Sequence, residues 1–114
     1  MPLSQALRDQ VERRLTQYCD ERIPDHARQQ VRLSYRIRGN KVTLFEQRPA
    51  FMEPDKWVDI VVAQFRFRPE DAKWLLYCAD RNSRWHEYYD VEPSSDLDDI
   101  LREVDRDPTG IFWG

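Results

Sequence analysis

The chain is poor in glycine, cysteine and histidine and has no long apolar run, and each shortage removes a class of function. Only 3 glycines occur, Gly39, Gly110 and Gly114, so there is no glycine-rich loop to cradle a phosphate. The 2 cysteines, Cys19 and Cys78, stand outside any Cys-x-x-Cys pair and read as reduced, buried thiols, although sequence alone leaves a disulfide between them open. With the 2 histidines they could compose a Cys2His2 set, but Cys19-x6-His26 and Cys78-x7-His86 are wider than zinc-ligand spacings. No metal and no cofactor are expected. The longest apolar stretch, Val58 to Ala63, is interrupted by Asp59 and falls far short of the roughly twenty residues of a membrane helix. Arg8, Asp9, Glu12, Arg13 and Arg14 occupy the place of a secretory leader's apolar segment. A cytoplasmic protein with no membrane partner is the expectation.

What is present suffices for one core. The 114 residues are 40% apolar, with 4 Trp, 5 Tyr and 5 Phe, which predicts a single domain over 1–114. Charged residues make up 34% and the net charge is −3. That sum hides an asymmetry. Between Arg28 and Arg84 twelve basic residues face seven acidic ones, a surplus of five, while the flanks hold six basic and fourteen acidic residues. Arginine outnumbers lysine fifteen to three, a bias toward planar, bidentate recognition of carboxylate or phosphate.

Periodicity sets the elements. Leu3, Leu7, Val11, Leu15 and Tyr18 form one helical stripe, predicting a helix over 4–20 with Ser4 as cap, stopped before Ile23-Pro24. From Val31 the period becomes two: Val31, Leu33, Tyr35 and Ile37 alternate with Arg32, Ser34, Arg36 and Arg38. Gly39-Asn40 reads as a two-residue hairpin into Lys41–Gln47. Trp57–Arg68 carries Val58, Ile60, Val61, Val62 and Ala63 and reads as a strand covered on both faces. A second hairpin, Lys73–Ala79 with Arg84–Val91, turns at Asp80–Ser83, and a helix over 95–105 capped by Ser94 or Ser95 precedes an apolar tail, 108–114. The expected fold is α+β: a five-stranded antiparallel sheet, its strands within 31–91, with the N-terminal and C-terminal helices packed on one face.

Such a sheet would throw Arg32, Arg36 and Arg38 onto its open face, together with Lys41, Phe45, Gln64, Arg66, Arg68, Tyr77, Arg84, His86 and Tyr88. Arginines interleaved with rings suit a polyanion, whether nucleic acid or an acidic protein; the structural alternative is cross-strand pairing with Glu46, Asp59 or Glu87. The candidate binding set is Arg32, Arg36, Arg38, Arg66, Arg68, Arg81, Asn82, Arg84 and His86. Asp80 and His86 could instead serve a small hydrolase or nuclease, against which stands their ordinary place in a turn. Ile111, Phe112 and Trp113 must be covered by the protein's own core or by a second copy, as in a homodimer or self-assembling domain.

The ordered segments VRLSYRIRGNKVTLFEQRP, WVDIVVAQFRF, WLLYCADRNSRWHEY and DPTGIFWG, from Val31 to Gly114, resemble a small bacterial family, domain of unknown function 3024. The resemblance implies a bacterial, cytoplasmic protein and carries over no activity or catalytic residue. The resulting expectation is a non-catalytic binding module.

Overall fold

Ser4, in extended geometry, accepts the Leu7 amide at 3.2 Å through Oγ and so starts helix α1, Gln5–Arg22, in the computed structural model, which describes residues 2–113. The helix runs two residues past the predicted end because only Ile23, extended ahead of Pro24, stops it. It buries Val11, Leu15, Tyr18 and Cys19 along one stripe. A short 3-10 turn, Asp25–Ala27, leads into the sheet.

Strands β1 (Arg32–Arg38), β2 (Lys41–Pro49), β3 (Trp57–Arg68), β4 (Lys73–Ala79) and β5 (Trp85–Glu87) form an antiparallel meander in the order β1-β2-β3-β4-β5. Gly39, at φ +62°, makes the two-residue hairpin that sets Arg38 opposite Lys41. Between Leu44 and Phe45 the β2–β3 register shifts: Leu44 faces Ala63 but Phe45 faces Val61, leaving Val62 as the extra residue of a bulge. Val62 and Ala63 are therefore both buried in the core.

The bulge and the length of this hairpin correct the expectation for β3. Val58, Ile60 and Val61 are 43%, 47% and 39% exposed, not covered on both faces. Strand β4 pairs only with Gln64–Arg68, so β3 from Asp59 to Ala63 is an open edge beside β2 and β1, and only Arg48–Pro49 with Trp57–Val58 and the loop between them projects as a two-stranded arm. Phe51 and Met52 at the arm's tip are 96% and 82% exposed.

Helix α2, Leu97–Arg106, begins two residues later than predicted. Its cap is Asp96, whose carboxylate accepts the Asp98 amide, while Ser94 bonds Asp96 N and Asp99 and bridges to Trp74. Leu97, Ile100, Leu101 and Val104 join Val11 and Leu15 over Leu44, Phe65, Trp74 and Leu76, so both helices cover the same sheet face. Asp107, at φ 38°, ends α2, and its carboxylate receives the Phe112 and Trp113 amides. The tail thus folds back: Phe112 lies 5.1 Å from the Tyr88 ring, and Trp113 donates to Val104 O at 2.9 Å. Ile111 stays 46% exposed, and Gly114 lies outside the described residues. Among the described residues no helix is long and apolar enough to cross a membrane.

Candidate functional site

The open face of the sheet follows from alternation and register. Strand β1 turns Leu33, Tyr35 and Ile37 toward the core and Arg32, Ser34, Arg36 and Arg38 away from it. Pairing carries that face across the sheet. Arg38 opposes Lys41 and Lys41 opposes Arg66, so three cations stand side by side on three adjacent strands. One step along, Arg36 opposes Thr43, Thr43 opposes Gln64 and Gln64 opposes Tyr77.

Aromatic rings hold three of the guanidinium groups. Arg66 lies over Tyr77 at 3.7 Å, Arg32 over Trp57 at 3.9 Å and Arg36 over Phe45 at 5.0 Å from the ring centroids. A polar ladder braces the middle: Arg66 Nε donates to Gln64 Oε1 at 2.7 Å, and Gln64 Nε2 donates to Thr43 Oγ1 at 2.9 Å. Phe45 and Gln64 are both buried, though they face away from the helices, because these arginine side chains cover them.

Pairing with acids neutralises only part of the set. Arg36 reaches Asp59 at 3.4 Å, and Arg68 clamps Asp71 through two bonds of 2.9 and 2.7 Å, which lowers the Asp71 pKa. Among the described residues Arg32, Arg38, Lys41 and Arg66 have no carboxylate within 4.0 Å. Beside the β1–β2 turn, Arg36, Arg38, Lys41, Thr43 and Gln64 line an open groove of about 420 Å³ with no carboxylate in its wall.

The remaining candidates sit elsewhere. Arg81, Asn82, Arg84 and His86 belong to the β4–β5 hairpin at the opposite edge of the sheet, four strand spacings or roughly 19 Å from β1. Two residues predicted on the open face are on the helix side. His86 pairs in register with the buried Cys78, and Tyr88 is itself buried, donating to Glu103 Oε2 at 2.8 Å. His86 and Tyr88 are two residues apart and share a face; the pairing of His86 with Cys78, continued by the Tyr88 amide donating to Leu76 O, sets that face as the helix side.

Asp80 organises that hairpin. Its Oδ1 accepts the amides of Asn82 and Arg84 at 2.8 and 3.0 Å, and its Oδ2 lies 2.7 Å from His86 Nε2. The His86 bond, followed by that from the Arg84 amide, holds the Asp80 carboxyl below its usual pKa. Both oxygens of the would-be acid or base are thus committed to the turn, with Ser83 at φ 62° completing it. Cys19 and Cys78 are free thiols; burial pushes Cys19 up to about 12 and Cys78 upward as well, which keeps both protonated and poor nucleophiles. Among the described residues no three His, Cys, Asp or Glu side chains converge as a metal site.

Sequence reasoning left Lys41, Thr43 and Gln64 out of the candidate set. The Gly39-Asn40 turn carried the signal for Lys41, since a two-residue hairpin makes the flanking residues partners. No curated protein and no solved structure matches this chain. The family model described as "Domain of unknown function (DUF3024)" matches residues 3–114, essentially the whole length, and the chain belongs to that family.

Proposed function

We propose that this protein is a non-catalytic binding module that holds an anionic macromolecule, nucleic acid or acidic protein, on the open face of its sheet. The row Arg38–Lys41–Arg66 carries the reading. Like charges directly opposite one another on neighbouring strands cost stability, and no internal carboxylate offsets these three. An external anion relieves that repulsion. Arg32, Arg36 and Arg66, laid on rings, lose little further side-chain freedom when they bind. A bacterial, cytoplasmic setting is part of the proposal, supported by the two free, buried thiols.

Binding to labelled nucleic acid and to an acidic polypeptide, titrated with salt at fixed pH, tests it. Affinity should fall steeply with salt, and Arg36→Glu or the double variant Arg38→Glu/Lys41→Glu should lower it at least tenfold. Absence of binding to either probe at the lowest salt would sink the proposal.

A second reading rests on the arm. Phe51, Met52 and Val58 expose apolar surface there, continued by Ile60 and Val61 on the adjoining open edge of β3, whereas Phe112 of the C-terminal tail is buried in its own core. A protein-interaction or self-assembly role therefore has its support at the arm, with Ile111 the exposed apolar residue of the tail. The hydrolase reading has no comparable support, because Asp80 is engaged by the turn.

A further inference from the structure

We infer that the anionic group this face takes is a phosphate, seated in the groove beside the β1–β2 turn. The inference rests on the binding proposal and narrows its ligand.

The charged side chains of the groove are all donors; Gly39 and Asn40 of the turn complete its wall, and Asn40, whose Nδ2 donates to Phe67 O, adds one amide oxygen as an acceptor. Arg36, Arg38 and Lys41 offer only N–H groups. Gln64 Oε1 is already taken by Arg66, and Thr43 Oγ1 accepts from Gln64, which leaves the Thr43 hydroxyl hydrogen to be given outward. Charge geometry then separates phosphate from carboxylate. A carboxylate has two oxygens in one plane and is satisfied by one guanidinium, as Asp71 is by Arg68. The row Arg38–Lys41–Arg66, with Arg66 beside the groove rather than in its wall, instead spreads three cations over two strand spacings, roughly 10 Å, and mixes a compact ammonium with planar guanidinium groups. Tetrahedral oxygens, or successive phosphates along a chain, reach donors arriving from separate strands. Tyr77 and Phe45 are covered by Arg66 and Arg36, so these rings do not serve as base-stacking surfaces, and recognition falls on the phosphate rather than the base.

Such a phosphate comes either from a nucleic-acid backbone or from a small phosphate compound. The full chain is titrated with labelled oligothymidylate and with inorganic pyrophosphate, each in competition with polyglutamate of matched charge, while the backbone amide resonances of Arg38 to Lys41 are followed. Either phosphate probe should shift those amides while polyglutamate does not displace it. A response to oligothymidylate supports a backbone source, and a response to pyrophosphate alone supports a small one. Lys41→Gln and Arg38→Gln, at exposed positions that leave the core untouched, should each weaken binding roughly tenfold, whereas Arg84→Gln at the far edge should not. Polyglutamate binding as tightly as the phosphate probes overturns the phosphate inference and leaves the binding proposal standing. Phosphate binding indifferent to Lys41→Gln and Arg38→Gln overturns the placement. No binding by any probe removes both.

Discussion

At the scale of single residues, the Tyr88–Glu103 pair shows how a surface-looking sequence position becomes a core determinant. Tyr88 is pushed up from the ordinary tyrosine range to about 12, first by burial and then by its bond to Glu103, which is itself buried. The folded chain therefore keeps the phenolic proton over a range where the unfolded chain has lost it. Stability contributed by that proton is complete below about pH 10 and disappears as pH rises toward about 12. Tyr88→Phe should make urea stability less steeply pH-dependent across this window, without abolishing the dependence, because burial and Asp105 raise Tyr18 in the same sense. At neutral pH the same variant should lose about 1–3 kcal/mol, since Glu103 keeps its burial and loses its donor. Equal alkaline slopes for wild type and variant would refute this account. Nothing in the local sequence distinguishes Tyr88 from its exposed neighbour Tyr89; the partner that does so lies fifteen residues away on α2.

Among elements, the β1–β2 hairpin was the most legible and β3 the least. Strict alternation on β1 and the Gly39-Asn40 turn are local signals, and together they place Arg38 beside Lys41. Gly39 is needed for its backbone angle rather than for space, since a Cβ there would meet nothing within 4 Å. Gly39→Ala should accordingly cost about 1–2 kcal/mol in chemical denaturation while leaving the fold intact. A neutral effect would show that the turn tolerates the angle without glycine. On β3 the apolar run looks like burial on both faces, yet the bulge opposite Leu44/Phe45 shifts the alternation partway along the strand. Val58 on the projecting arm and Ile60 on the open edge that β4 does not reach then fall outside the core. The start of α2 moved for a reason that is not local either. Asp96 outcompetes Ser94 and Ser95 as cap because Ser94 is tied to Trp74 of β4, a contact between elements twenty residues apart.

Across the whole molecule, the asymmetry of charge along the chain becomes an asymmetry of faces. The acids of α2 are largely used within the protein: Asp98 pairs with Arg14, and Asp105 pairs with Arg22 and Tyr18. The open sheet face keeps cations that no such partner neutralises, which is why an acidic chain can still present a basic surface. The arm is the other feature visible only at this scale. Because Phe51 and Met52 make little contact with the core, Phe51→Ser/Met52→Ser should leave thermal stability unchanged within about 0.5 kcal/mol. If the arm mediates self-association, the same variant should remain monomeric at concentrations where wild type sediments faster; a wild type that is monomeric throughout would count against that form of the reading. The sequence by itself determined the α+β class, the helical stripes, the alternation of β1 and the adjacency of Arg38 and Lys41, because each depends on residues within a few positions of one another. Tertiary structure alone decided that Arg66 completes the row, that His86 and Tyr88 fall on the helix side and that the C-terminal rings return to the core. Those outcomes depend on register across a bulge, on which β4 residues a short edge strand pairs with and on partners distant in the chain, and one residue of slip in a strand exchanges its two faces.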